Sequence, residues 1–367
     1  VGGVPEHFNY PWRIAIEEGL FRNKGIALHW ADMSGGTGQM IKGLQTGSLD
    51  VAILLTEGIT RSILQGLNAK ILEVYVETPL CWGVHVPFKS PFQGIQDLDS
   101  KTFAISREAS GSHLMAYVMA YQNSLQRRKM QFNVVGDIYG GLWALENREA
   151  EVFLWEKYTT QPYVDQKKCR RVGEVFTPWP AFVIAARDEL IRDHPDELDK
   201  VIDVIQQRAG LVKNAETTPE VISWRYNLDL YQVNNWLSQT SWNTQRKDMT
   251  ETIEKVVGYL TKLNLVSSEE LISPLSSLEE FLVQAEPCDN PSENCSQTFR
   301  TSFRVRRLHP SILSSSQCAR ACKPWQSRCV CRGVGPSSIS ASGGSKEWSG
   351  ASGACAILSE HPEESQY

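Results

Sequence analysis

The sequence predicts an α/β protein of two lobes joined by two crossings, finished by a helical wrap and followed by a tail of different character. Three observations carry this. Over residues 1–180, short apolar runs alternate with helix-patterned segments, as they do in α/β layers built on a largely parallel sheet. The alternation runs twice, separated by extended stretches around Pro79 and again ending at Pro178 and Pro180. After about residue 285 the periodicity stops, and Ser, Gly, Pro and Cys dominate.

Residues 1–4 read as a strand and 11–21 as a helix, with Ile14, Ile16, Leu20 and Phe21 partly on one face and Gly19 and Gly25 at its exit. Residues 26–30 are expected to form a second strand. Gly35-Gly36-Thr37-Gly38 then turns into a helix carrying Met40, Ile41 and Leu44. The unbroken apolar run at 50–55 predicts a buried third strand, and 57–67 its helix. Runs 71–76 and 82–86 around Pro79 predict a crossover into the second lobe. There the spacing gives strand 103–106, helix 112–121, strand 132–135, helix 139–147 and strand 152–155. Phe176-Thr177-Pro178-Trp179-Pro180 is a stiff extended link, because each proline fixes its own backbone and restrains its predecessor. Residues 181–186 return to the first lobe. Two helical stripes follow, one on Leu190, Ile191, Leu198, Val201, Ile202 and Ile205, the other on Ile253, Val256, Val257 and Leu260. The expected division is lobe 1 from 1–78 and 181–265, lobe 2 from 79–180, a helical end or linker at 266–285, and a disordered low-complexity tail at 286–367.

Composition narrows the function. At 367 residues, 41% apolar and 22% charged, the chain is an ordinary globular protein of more than one domain. A net charge of -5 leaves no electrostatic footprint for nucleic acid and no polybasic surface for anionic lipid. No apolar run approaches the ~18 residues that span a bilayer. The first residue, Val1, lies within a strand-like run, which leaves an upstream segment open. Only Cys81 and Cys169 fall in the body; the other cysteines crowd residues 288–355. Cys318-x3-Cys322 and Cys329-x-Cys331 read either as a metal or disulfide module or as part of a disordered or mistranslated extension. Those spacings match no strong zinc pattern.

Ligands of open α/β sheets bind beyond the carboxyl ends of the strands, so candidate residues are those that follow each strand. His7 follows the first, Gly36 and Thr37 the second, Thr56 and Glu57 the third. In the second lobe come Ser110, Gly111 and Ser112, then Tyr139, then Trp155 and Glu156. Gly36-Thr37 and Ser110-Gly111-Ser112 each open a helix, where free N–H groups and the positive dipole end receive an anion or carbonyl oxygen; a plain capped turn is the other reading. Glu57 and Glu156 could pair on a ligand amine or serve as helix-terminal and surface carboxylates. Tyr139 and Trp155 could stack on a ring or pack the core. His7 is a ligand donor or a structural histidine. The body shows no metal cluster, phosphate loop or nucleophile elbow.

Glu17-Glu18-Gly19-Leu20-Phe21, then Gly35-Gly36-Thr37-Gly38, then Leu44-Gln45-Thr46-Gly47-Ser48-Leu49-Asp50-Val51-Ala52 resembles the sulfonate, taurine and thiamine-precursor branch of the type II periplasmic-binding-protein superfamily. Trp155-Glu156 and Thr177-Pro178-Trp179-Pro180 resemble its fungal-type subgroup. The resemblance covers residues 1–265 and implies a type II two-lobe fold with a ligand in the hinge cleft, near Thr37, Thr56, Glu57, Ser110, Gly111 and Ser112. The two lobes, the two polar loops that open helices and the lack of a catalytic constellation in the sequence point to a cofactor-free, non-catalytic binder of a small polar metabolite. A fungal-like chain would be cytoplasmic; a bacterial one would be periplasmic or lipid-anchored and would feed a membrane transporter. The alternative is an enzyme of thiamine-pyrimidine metabolism in the same cleft. The relative with that activity uses pyridoxal phosphate and carries a clustered-cysteine motif, which isolated Cys81 and Cys169 do not match.

Overall fold

The computed structural model describes residues 1–266 and Leu282. Among the described residues eight strands form one mixed sheet: β1 (Gly2–Gly3), β2 (Ala31–Asp32), β3 (Val51–Leu55), β4 (Ala69–Pro87), β5 (Thr102–Ile105), β6 (Gln131–Val134), β7 (Val152–Glu156) and β8 (Cys169–Arg187), in the order β2-β1-β3-β8-β4-β7-β5-β6. The long strands β4 and β8 run antiparallel along their whole length, from Ala69 opposite Arg187 to Pro87 opposite Cys169. On one side, β1, β2 and β3 are mutually parallel; on the other, so are β5, β6 and β7. Each short set meets its long neighbour antiparallel. The architecture is thus two parallel α/β halves joined through two continuous crossing strands.

The crossing strands have a weak point at their middle. Pro79 lies opposite Pro180, and the register shifts on both sides of Pro79. Prolines supply no N–H to the ladder. A side chain takes over: the Leu80 amide donates to Thr177 Oγ1 at 2.9 Å, and that hydroxyl donates to the Trp179 carbonyl at 2.8 Å. Thr56 Oγ1 donates to the Pro180 carbonyl at 2.6 Å.

Twelve helices cover the sheet among the described residues. In the first half these are α1 (Tyr10–Glu17), α2 (Leu20–Asn23), α3 (Gly36–Thr46) and α4 (Thr56–Leu64). The second half carries α5 (Gly111–Gln122), α6 (Ile138–Glu146) and α7 (Lys157–Asp165). The wrap is α8 (Asp188–Asp193), α9 (Pro195–Asn214), α10 (Thr218–Tyr226), α11 (Leu230–Gln239) and α12 (Thr250–Lys262). The predicted stripes face inward: Ile191, Leu198, Val201, Ile202 and Ile205 are buried and Leu190 half-buried, and Ile253, Val256, Val257 and Leu260 are buried. None of the described helices is long and apolar enough to cross a membrane.

Several expectations need correction. Residues 26–30 are not a strand; pairing begins at Ala31, and the Trp30 indole instead packs where a side chain on Gly3 would sit, 2.6 Å from the position of its Cβ. The helix expected over 11–21 breaks at Gly19, whose φ of 69° is left-handed. The sheet is mixed rather than largely parallel, because both crossing strands enter it antiparallel. Helix α7 and the start of β8 were not expected: α7 contains Pro162, and residues 169–175 interleave arginines and a glutamate with the apolar positions. The linker and tail expectations lie outside the described residues, apart from Leu282, which bridges to Ile71.

Close packing makes one glycine indispensable. A Cβ on Gly140, in the first turn of α6, would run into the Val135 carbonyl oxygen, which is backbone and cannot rotate away. Gly140→Ala should therefore cost ~1–3 kcal/mol, read as a lowered midpoint in thermal unfolding of the purified chain.

Candidate functional site

The first turns of three helices converge between the two halves. Thr37 of α3, Glu57 and Gly58 of α4, and Ser110 and Gly111 at the start of α5 line one narrow recess, together with Arg61, Arg107, Leu55, Leu114, Leu260 and Leu265. The local folding reasons are legible. Thr37 Oγ1 accepts from the Leu55 amide at 3.3 Å, tying the end of β3 to the start of α3. Ser110 caps α5, its Oγ accepting from the His113 amide at 3.3 Å and lying 3.0 Å from Ser112 Oγ. Ser112 Oγ in turn accepts from the Ser106 amide at 3.0 Å. Gly111 is required by proximity: a Cβ there would stand 2.8 Å from Leu55 Cδ1 of the other half and 2.9 Å from the Trp82 ring.

The charges in this recess are unusual. Glu57 is buried; Oε2 accepts from the Trp179 indole N–H at 2.8 Å, while Oε1 has no partner among the described residues. Burial pushes its carboxyl up to about 7, against the opposing pull of its own backbone amide and of Trp179. Arg61 is held by Nε donating to the Leu265 carbonyl at 3.0 Å. Arg107, from the second half, packs on Gly38 at the first turn of α3. Neither arginine forms an ion pair among the described residues. Burial, and then the Arg61 charge, hold the Arg107 guanidinium below its usual range. Two half-buried cations thus stand beside three positive helix ends, with Glu57, its carboxyl raised by burial, as the one carboxyl lining the recess. The carboxylate next to Arg107, Glu108, is exposed and lies 3.2 Å from His113 Nδ1, which itself accepts from the Ala109 amide at 2.9 Å. That arrangement is electrostatically incomplete without an anion.

The remaining candidates sit elsewhere. Thr56 is buried and spends its hydroxyl on Pro180. Gly36 has a left-handed φ of 65°, the conformation that opens α3. Glu156 caps α7, accepting from the Tyr158 and Thr159 amides at 3.1 and 2.6 Å and from Thr159 Oγ1 at 2.8 Å. Trp155 is half-buried and tilted against Phe153, with ring centroids 5.4 Å apart, where it packs on the core of the second half. Tyr139 is 67% exposed and meets Tyr163 edge-on. His7 is buried against Phe8 and Trp236 in a separate recess. Arg61, Arg107 and Trp179 were missed as site residues, although Arg61 lies one helical turn after Glu57 and Arg107 lies two residues past the end of β5. Both body cysteines are buried, and burial pushes their thiols up to about 12 for Cys81 and about 11 for Cys169, away from thiolate chemistry.

With this geometry, known structures are informative. A family model described as Ca3427-like PBP matches residues 83–175. A conserved Candida albicans gene product, CA3427, described as exhibiting the generic periplasmic binding protein structural fold, superimposes with a TM-score of 0.70, covering 77% of this chain and 94% of that one at 23% identity. The chain has the type II periplasmic-binding-protein fold. The alkanesulfonate-binding protein SsuA of Xanthomonas axonopodis pv. citri, bound to MOPS, shares this fold at a TM-score of 0.64, with 13% identity over 74% of this chain and 95% of that one. The periplasmic nitrate-binding protein NrtA of Synechocystis PCC 6803 shares it at 0.56, with 11% identity over 73% and 82%. No curated protein matches the chain in sequence. The β4–β8 ribbon connects the two halves, and the arginine recess lies where they face each other.

Proposed function

We propose that the chain binds a small anionic metabolite between its two halves, with the anionic group held by Arg61 and Arg107 over the first turns of α3, α4 and α5. The observation that carries this is the pair of half-buried guanidiniums without carboxylate partners among the described residues, set against three helix N-termini. Residues from both halves line the recess, so a ligand there would fasten one half to the other. The similarity to an alkanesulfonate-binding protein and a nitrate-binding protein supports an anion. The similarity to a C. albicans protein favours the fungal-type reading, a binder that serves no membrane transporter.

Glu57 supplies the test. Its carboxyl is protonated below about 7 and ionised above, so rising pH places a negative charge beside the bound anion. Calorimetric titration with methanesulfonate, inorganic phosphate and acetate should show saturable binding of at least one of them. Its affinity should fall up to about tenfold for each pH unit above 7. Glu57→Gln keeps an acceptor for Trp179 and cannot ionise, so its profile for the sulfonate should be flat. Parallel profiles for the two proteins, or no binding of any of the three anions, would sink the proposal.

A further inference from the structure

We propose that Tyr259 of α12 is a positioning residue for the anion recess, holding the Trp179 indole on Glu57 and tying that hold to Tyr121 in the other half. Its consequence for binding rests on the anion reading of the recess; its test does not. An indole N–H points where its ring plane points, so whatever fixes the ring also fixes the hydrogen bond. The Trp179 ring, 2% exposed, is met edge-on by Tyr259, with centroids 5.4 Å apart and planes at 76°. Its Nε1 donates to Glu57 Oε2 at 2.8 Å. Tyr259 is not among the residues that line the recess, yet it stands one ring contact and one hydrogen bond away from the carboxyl inside it.

The same ring reaches the second half. Tyr121, near the end of α5, meets Tyr259 edge-on with centroids 6.4 Å apart. Lys262, one turn after Tyr259, lays its ammonium 4.3 Å from the centre of the Tyr121 ring, and the Arg127 guanidinium lies over that ring at 5.7 Å. Both contacts draw on the electron-rich ring face. Helix α12 itself is seated on α4 of the first half, with Ile253, Val256, Val257 and Leu260 buried. A shift of one half against the other therefore acts on Tyr259 through Tyr121, and on Trp179 through Tyr259. The charged groups that face Glu57 are Arg61 on its own helix and Arg107 after β5; the lining contributed by α3, α5 and α12 is uncharged, and β8 meets the carboxyl with Trp179. Burial raises that carboxyl to about 7, opposed by its own backbone amide and by the Trp179 indole. The indole is the opposing group that another side chain holds in place. Loosening it withdraws a hydrogen bond from the ionised form, so the carboxyl titrates at higher pH.

The test follows the Glu57 carboxyl by NMR from about pH 5 to about pH 9, in the full chain labelled at its glutamate carboxyls, with no anion present. Glu57→Gln identifies the signal. Tyr259→Leu keeps an apolar side chain without a ring and should move the inflection upward by about half a pH unit, the size of one edge-on ring contact. Tyr259→Phe keeps the ring and should keep the native inflection. Tyr121→Leu, at a residue 37% exposed, should move it the same way by less, and carries the test should Tyr259→Leu fail to fold. An unmoved inflection in Tyr259→Leu would make the residue a packing contact, and a downward one would mean that it acts by keeping water out; either overturns the positioning role. A native inflection in Tyr121→Leu would overturn the link between the halves. The pH at which methanesulfonate affinity falls should rise together with the carboxyl in Tyr259→Leu. A shifted carboxyl with no methanesulfonate binding would count against the anion reading and leave the positioning role standing.

Discussion

Replacing Arg107 with alanine should remove anion binding while leaving the free protein as stable as before, or slightly more so. Few single substitutions separate those two outcomes. Arg107 is half-buried, packs on Gly38 at a positive helix end, and feels the like charge of Arg61 with no compensating carboxylate among the described residues. Its ionised form is therefore disfavoured in the empty protein, and truncation relieves that. In the complex, the same charge would face a desolvated anion, where losing one partner of such a pair costs about 2–5 kcal/mol, or some 30-fold to several thousand-fold in affinity. Arg61→Ala should act in the same direction on binding, but it also gives up the bond to Leu265. Titration calorimetry and thermal unfolding of both variants provide the check. A large fall in midpoint with affinity retained would make Arg107 a packing residue.

The free protein should be most stable in mildly acidic solution, and the loss toward alkaline pH should be steep. Burial pushes the carboxyl of Glu6 up to about 8, with the Glu156 charge adding to it, and those of Glu57 and Glu73 up to about 7, all from 4.5. Between 4.5 and those values the folded chain keeps protons that the unfolded chain has released, so stability falls as pH rises through that range. Two histidines act the other way. Burial holds His7 and His85 at about 3, against an ordinary 6.5. Below 6.5 the unfolded chain takes up protons that the folded chain refuses, so stability falls as pH drops toward 3. Each group contributes up to about 1.4 kcal/mol per pH unit within its window. From 4.5 to 6.5 the two sets oppose each other; beyond that range on either side one set acts alone. Unfolding midpoints should therefore peak inside that range and fall by several degrees by about pH 8. Glu6→Gln should remove the part of the loss that lies above about pH 7. A midpoint that rises steadily from acid to pH 8 would contradict the burial of these carboxyls.

Much of the fold was readable before any coordinates, and the reasons differ by element. The apolar run of β3 and the stripe of α12 are written in periodicity alone. The crossing strands were visible because Pro79 and the Pro178–Pro180 pair stand inside otherwise extended text. Strand direction was not visible, since apolar runs do not carry polarity; the antiparallel entry of β4 and β8 is a tertiary fact. Helix α7 was hidden by Pro162 and by its polar composition. At the site, Thr37, Glu57, Ser110 and Gly111 were found because strand-end loops can be listed from sequence, and the structure brings these four into one recess. The structure does not bring Tyr139, Trp155, Glu156 or His7 into that recess. Arg61 and Arg107 escaped because an arginine looks the same in sequence whether or not a carboxylate answers it; only the fold shows that none of the described ones does.

The Pro79–Pro180 crossing has a mechanical consequence. A continuous ladder resists bending because each rung must be given up in turn, and the loss grows with the number of rungs. Here the rungs stop at the midpoint, and the gap is spanned by the Thr177 hydroxyl between the Leu80 amide and the Trp179 carbonyl. A hydroxyl swivels about one bond, so it can follow a change of angle that a peptide pair cannot. Trp179 is also the residue that holds Glu57. Flexing the ribbon at this point would therefore move the carboxyl that lines the anion recess, coupling the angle between the halves to the charge the ligand meets.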